Sequence, residues 1–237
     1  MATRLPIVPT RRRTLTRAIR CPAGRIGHTG IMSASNVWYG KGVADEGEFR
    51  LCGNVSGRRT IELGIGPVPD GVTPNAVTLA VAGAKSIAVD PSAERIADLR
   101  RAAEQHEVRV ECHQGELADL GFATSGSVDL VIATQTLDDV DDLPRLLRQV
   151  HRVLKPEAPF VVALTHPVAA MFDEGSLAGT TPPVRRYGTG SRSIGELFMH
   201  FERANFRLDV VHELSPLTQR DALIPSVLLL RARKLGV

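Results

Sequence analysis

The sequence predicts an α/β protein with one mostly parallel sheet and helices on both of its faces. Short apolar runs typical of buried strands alternate with longer stretches whose apolar residues recur at helical spacing. Such alternation implies parallel strands joined by right-handed helical crossovers. With 237 residues, 43% of them hydrophobic and 23% charged, the chain has the size and composition of one folded domain.

The first half of the chain contains three predicted strands and the helices between them. Thr73 is expected to cap the first of these helices with Pro74 at its first position, and Ser92 is expected to cap the next. In order, we predict a lid and short helix (36–53), strand 60–63, helix 74–83, strand 86–89, helix 93–105 and strand 108–112.

The second half continues the alternation and then changes at its end. Asp142 is expected to cap a helix with a one-sided apolar stripe, and Pro156 to stop it. No clear helix separates the last two predicted strands, which suits an antiparallel final strand. We predict strand 128–133, helix 143–155, strand 160–164, an irregular stretch (166–190), helix 191–204, strand 206–213 and strand 223–231.

Two strand ends carry the strongest functional signal. The first strand runs into a glycine turn, in Thr60-Ile-Glu-Leu-Gly-Ile-Gly66, and the second ends on a carboxylate, in Ser86-Ile-Ala-Val-Asp90. Glycines let the backbone approach a ligand closely, and an acid at the next strand's end can accept both hydroxyls of a ribose. The pair therefore indicates a nucleotide-like ligand.

The pattern resembles motif I and its partner acid in the class I S-adenosylmethionine-dependent methyltransferases, in particular those similar to methyltransferase type 11. Segments 115–120, 127–134 and 143–156 continue the resemblance in the family's order, over residues 48–235. It implies a Rossmann-like, seven-stranded sheet with the last strand antiparallel, an enzyme, and S-adenosyl-L-methionine as cofactor. We expect a small-molecule acceptor. The Asn/Asp-Pro-Pro-aromatic signature of amino-group methylation on bases is absent after the fourth strand.

The same resemblance implies a cofactor site built from strand ends. Asp90 is expected to bind the ribose, although an Asp before Pro91 also fits a helix cap. The methionine end is expected to lie against the glycine turn, under an aromatic residue of the lid, unless that residue simply packs the lid onto the core. The implied cofactor-binding residues are Tyr39, Glu62, Gly64, Gly66, Asp90, Pro91, Glu116, Leu117 and Thr134.

Two features near the glycine turn bear on the cofactor. A nicotinamide fingerprint needs a third glycine, and the sequence after Gly66 is Pro-Val-Pro, which favours methyl transfer over a dehydrogenase. The segment 67–74 is longer than in most family members and lies where the methionine carboxylate is expected. A degenerate binding protein without turnover is therefore an alternative.

Two further groups have both a functional and a structural interpretation. The acidic run 138–142 invites a divalent metal, but Asp141 or Asp142 as a helix cap accounts for it without one, and we predict no metal. His166, after the fifth strand, is the one candidate catalytic residue, as a general base, and its alternative is a structural role.

The charge is concentrated at the start of the chain. Residues 1–44 hold eight Lys and Arg and no Asp or Glu, whereas the other 193 residues hold 21 Lys and Arg against 26 Asp and Glu. We predict a disordered basic arm, residues 1–31, before a single domain, 32–237; a transit peptide and a start at Met32 are alternatives. A nucleic-acid methyltransferase that uses this arm is the other functional alternative.

The remaining composition concerns location. Cys21, Cys52 and Cys112 are odd in number and show no C-x-x-C spacing, so we expect a reducing compartment, the cytoplasm. No apolar run has the roughly 20 residues that a membrane helix needs. The sequence leaves the oligomeric state open.

Overall fold

The computed structural model describes residues 36–173, 181–218 and 222–236. Within them, seven strands form one sheet: β1 (Arg59–Leu63), β2 (Lys85–Asp90), β3 (Val110–Gln114), β4 (Leu130–Thr134), β5 (Pro159–Thr165), β6 (Phe206–Leu214) and β7 (Val227–Lys234). Their order is β3-β2-β1-β4-β5-β7-β6, and only β7 runs antiparallel to its neighbours. The predicted fold class is confirmed, including the antiparallel last strand.

The helices lie close to their predicted positions: α1 (Glu46–Phe49), α2 (Asn75–Val81), α3 (Ala93–Gln105), α4 (Leu143–Val153) and α5 (Ile194–Arg203). Ser92 and Asp142 cap α3 and α4 as predicted, each accepting a backbone N–H three residues ahead. The predicted cap at Thr73 is wrong. The cap position is Pro74, whose extended backbone precedes α2 and whose side chain offers no acceptor.

The central strands are buried on both faces of the sheet. Helices α4 and α5 cover one face, where their apolar residues pack on alternate residues of β4 and β5, such as Val131 and Val162. The segment 37–55 covers the other face, where it packs on the intervening residues, such as Ile132 and Ala163. Since β4 has five residues and all are buried, its carboxyl end emerges from a rigid base.

The strand order reverses beside β1. From there the chain runs outward to β2 and β3, and it then returns to β4 on the other side of β1. In an open α/β sheet a ligand binds at the carboxyl ends of the strands at this reversal. The turns after β1, β2 and β4 are therefore the place to look for a site.

The predicted basic arm, with Cys21 and Met32, lies outside the described residues. In the described parts of the chain, no helix combines the length and apolarity needed to cross a membrane.

Candidate functional site

The turn after β1 is packed tightly against the end of β4. Gly64 has a φ of +76°, and a Cβ added there would lie 2.6 Å from the Cβ of Thr136. A Cβ added to Gly66 would lie 2.4 Å from the carbonyl oxygen of Thr134. The Thr136 hydroxyl also donates to the Leu63 carbonyl at 2.6 Å. Both glycines are thus required by the chain's own packing, which leaves a turn of bare backbone beside β4.

Asp90 joins the turn after β1 to the turn after β2. One carboxylate oxygen accepts the Ile65 N–H and the other accepts the Ser92 N–H, both at 2.7 Å. Arg95 lies 3.7 Å from the first oxygen, and the Asp90 residue is fully buried. A carboxylate has about four acceptor positions, so these backbone bonds leave capacity for further donors. Ribose binding by Asp90 stays a prediction, and these backbone bonds show a structural role at the same position.

Glu62 anchors the start of α2. Its carboxylate accepts the Ala76 N–H at 2.7 Å, which replaces the missing side-chain cap of that helix. The residue is 2% exposed, and burial raises the pKa of the Glu62 carboxyl to about 8, with the neighbouring charge of Asp90 adding to the rise and the Ala76 N–H opposing it. Glu62, one of the predicted cofactor-binding residues, thus ties β1 to the helix that follows the glycine turn.

Asn75 is a buried site residue that sequence reasoning missed. Its side-chain amide accepts the Trp38 N–H at 2.7 Å and donates to the Trp38 carbonyl at 3.0 Å. The same nitrogen donates to the Thr134 hydroxyl at 3.1 Å. An Asn after a Pro at a helix start is an ordinary local signal, so only the fold reveals these long-range partners.

Tyr39 packs into the core rather than standing free at the turn. Its hydroxyl contacts the Glu46 carboxylate, and the ring belongs to the apolar cluster beneath β4 and β5. Burial raises the pKa of the Tyr39 hydroxyl well above its ordinary value. These contacts are the ones expected if Tyr39 simply packs the lid onto the core. The backbone carbonyl of Tyr39 accepts a hydrogen bond from the Gln135 side chain at 3.1 Å, which ties the lid segment to the end of β4.

Three further predicted cofactor-binding residues, Pro91, Glu116 and Leu117, lie in the neighbouring turns after β2 and β3. The Gly115 N–H donates to the Asp90 carbonyl at 3.1 Å, so the turn after β3 lies beside Pro91. Leu117 is half-buried against the core, whereas the side chain of Glu116 is 74% exposed and pairs with Arg145 at 3.0 Å. Glu116 therefore has a partner on α4.

His166 has both ring nitrogens occupied. Nδ1 accepts the Val168 N–H at 3.2 Å, which places the proton on Nε2, and Nε2 contacts the Glu213 carboxylate at 2.9 Å. The ring is also buried. With its lone pair committed to the backbone, this imidazole fits a structural role better than that of a free base.

Two residues just before α5, Ser191 and Arg192, bind the backbone at the ends of β4 and β5, and we call this pair the latch. The Ser191 hydroxyl donates to the Thr165 carbonyl at 2.8 Å, at the end of β5. The Arg192 guanidinium donates to carbonyls of the loop after β4, those of Leu137, Asp138 and Val140. The latch fastens the start of α5 to the loops after β4 and β5, and no sequence pattern predicted it.

The acidic run 138–142 forms the loop after β4 and supplies the N-cap of α4. Burial raises the pKa of the Asp138 carboxyl, although hydrogen bonds from Ser191 and from the Arg192 N–H oppose the rise. Asp142 caps α4 through the Arg145 N–H at 2.8 Å. Across the described ranges, no group of three metal-ligating side chains comes together.

The predicted irregular stretch 166–190 is partly described. Arg185 donates to the carbonyls of Ala170 and Phe172 and pairs with Asp173 at 3.2 Å, so its charge holds its own turn together. Tyr187 accepts the Ile194 N–H at 3.2 Å, at the start of α5. Residues 174–180 lie outside the described residues.

Comparison with known proteins defines the class. Residues 68–162 match the family model described as a methyltransferase domain. No curated protein shows a significant sequence match to the chain. The S-adenosylmethionine-dependent methyltransferase from Mesorhizobium loti is similar in structure, with a TM-score of 0.62 and 24% identity over 78% of this chain and 95% of that one.

Two more distant structures share the fold. A SAM-dependent methyltransferase from Aquifex aeolicus has a TM-score of 0.58 and 16% identity, over 80% of this chain and 89% of that chain. Geranyl diphosphate C-methyltransferase from Streptomyces coelicolor A3(2), solved with Mg²⁺, geranyl-S-thiolodiphosphate and S-adenosyl-L-homocysteine, has a TM-score of 0.60 and 14% identity, over 80% and 74%.

The family match and the fold confirm the predicted class. The protein carries a methyltransferase domain over residues 68–162, on the fold of the S-adenosylmethionine-dependent methyltransferases. It is therefore an enzyme of the methyl-transferring class, and S-adenosyl-L-methionine is the cofactor of that class.

Proposed function

We propose that the protein transfers a methyl group from S-adenosyl-L-methionine to a small-molecule acceptor, at the carboxyl ends of β1, β2 and β4. The observation that carries the proposal is the Asp90 carboxylate beside the bare backbone turn of Gly64 and Gly66. The cofactor supplies an activated methyl group on a sulfonium, whose departure leaves a neutral thioether. The protein's task is then mainly to align the two reactants and exclude water.

The residues around the turn suit the three parts of such a cofactor. Asp90 has acceptor capacity for the ribose hydroxyls, and Pro91 with the turn at Gly115–Leu117 borders the adenine. Glu62, the glycine turn and Thr134 border the amino-acid end and the sulfonium. Because Asp90 is fully buried, binding of a ribose to it requires the residues that cover it to rearrange.

The small-molecule acceptor is supported by two observations. The latch formed by Ser191 and Arg192 closes the acceptor side over a short span, between the ends of β4 and β5. The Streptomyces enzyme of the same fold was solved with a small isoprenoid diphosphate analogue. His166 is not required as a base in this proposal, since methyl transfer from a sulfonium needs one only for a weakly acidic acceptor.

A cytoplasmic location completes the proposal. Cys52 and Cys112 are free thiols, which fits a reducing compartment.

Calorimetry with S-adenosyl-L-methionine and S-adenosyl-L-homocysteine tests cofactor use, with the full-length chain. Saturable binding of both is expected, and the proposal fails if neither binds. Mass spectrometry of ligands that co-purify with the protein then narrows the acceptor class. Removal of residues 1–31 is expected to leave cofactor binding unchanged. A loss of RNA or DNA affinity on removal would instead favour a nucleic-acid acceptor.

A further inference from the structure

Asn75 joins three segments that meet at the proposed cofactor site. It is the first residue of α2, it bonds both backbone groups of Trp38, and it bonds the Thr134 hydroxyl at the end of β4. The Thr134 carbonyl, in turn, is the group that a Cβ at Gly66 would meet. The side chain of Asn75 therefore fastens the lid segment 36–39 to the end of β4, beside the glycine turn.

The chemistry of the position selects asparagine. The side chain must accept from the Trp38 N–H and donate to the Trp38 carbonyl, as a neighbouring strand would. Asp has no donor for the carbonyl, and a hydroxyl offers only one proton for two acceptors. Asn75 is only 3% exposed, so a Trp38 backbone group that lost its bond to this side chain would find no water to replace it.

We propose that Asn75 is a positioning residue that holds the segment 36–39 as a wall of the cofactor site. The inference rests on the proposed function. The segment contributes Tyr39, whose carbonyl is also held by Gln135 from the end of β4. Two amide side chains, from α2 and from the turn after β4, thus fix consecutive residues of this wall. Cofactor binding and the ordering of the segment then reinforce each other.

Trp38 makes this inference measurable. It is the single tryptophan of the chain, and it is 8% exposed in the folded protein. Its emission and its quenching by acrylamide therefore report whether the wall is docked, independently of methyl transfer.

The first experiment uses the unaltered protein. Hydrogen exchange of the backbone amides in residues 36–39 is measured with and without S-adenosyl-L-homocysteine. We expect exchange at Trp38 to slow on binding, by about tenfold for a coupling of ordinary size. Unchanged exchange, in protein that calorimetry shows to be saturated, would overturn the inference.

The second experiment compares two matched variants. Asn75→Asp keeps the shape and removes the amide donor. Asn205→Asp makes the same change at an exposed amide that donates to the Leu235 carbonyl at 2.9 Å. We expect Asn75→Asp to shift Trp38 emission to the red and to weaken S-adenosyl-L-homocysteine binding about tenfold, and Asn205→Asp to change neither.

The outcomes separate this inference from the function beneath it. If the unaltered protein binds no S-adenosyl-L-homocysteine, the proposed function fails. If it binds and Asn75→Asp binds equally well while Trp38 is loosened, only the positioning role fails. If Asn75→Asp does not fold, the exchange measurement on the unaltered protein decides.

Discussion

Replacement of Glu62 by Gln should make the protein more stable at alkaline pH. Burial raises the pKa of this carboxyl from 4.5 to about 8, so the folded protein favours its neutral form. A neutral amide of the same shape keeps an oxygen for the Ala76 N–H and removes the repulsion from Asp90. The variant therefore lacks the cost of ionising a buried acid.

The sign and size follow from linkage. Because the folded pKa lies above the unfolded one, the stabilisation is complete below pH 4.5 and is lost as the pH rises through about 8. Between pH 5 and pH 9 the unaltered protein should lose about 4 kcal/mol at this group, as an order of magnitude. The variant should lose none of this.

Urea unfolding of both proteins at several pH values measures the effect as a difference, in which the other titrating groups largely cancel. Glu94→Gln, which removes a charge from the exposed first turn of α3, is the matched control and should track the unaltered protein. Parallel stability curves for Glu62→Gln and the unaltered protein would show that Glu62 is not buried against Ala76 and Asp90 as described.

Two further changes test the turn and the acid. Gly66→Ala should destabilise the fold by roughly 1–3 kcal/mol, since its methyl would meet the Thr134 carbonyl at 2.4 Å, whereas Gly115→Ala, with nothing within 4 Å, should be close to neutral in thermal unfolding. Asp90→Ala should weaken S-adenosyl-L-methionine binding by about 1–3 kcal/mol in calorimetry. Asp129→Ala is the control, because it also removes a carboxylate that accepts a backbone N–H, here that of Arg59 at the start of β1, and it should leave the affinity unchanged. Equal losses of affinity in the two variants would argue against a ribose at Asp90.

The sequence predicted what local patterns determine. Ser92 and Asp142 cap their helices through bonds that span three residues, so the local rule is sufficient. The rule failed at Thr73. At the start of α2 the Ala76 N–H donates instead to the carboxylate of Glu62, which lies 14 residues before Ala76, in β1. The last strand begins at Val227 rather than 223, where pairing with Thr165 of β5 starts, and Pro225 has no N–H for an earlier bond.

In the candidate site, too, some residues follow from local sequence patterns and others depend on long-range contacts. The glycines and Asp90 lie at strand ends, so alternation of elements was enough to bring them together. Asn75, Thr136 and Arg192 act across long stretches of chain, and none has a distinctive sequence context. Tyr39 was singled out as an aromatic residue in the lid, but the direction of its ring depends on Glu46 and the core beneath it.

The bond between the Ser191 hydroxyl and the Thr165 carbonyl, at 2.8 Å, has an evolutionary consequence. The irregular stretch 166–190 leaves the sheet and returns to it at the same point. An excursion closed at its base can be exchanged for one of another length or composition without disturbing the strands that carry the cofactor residues. That stretch can therefore change in length or sequence during evolution while the strands and their turns keep their positions.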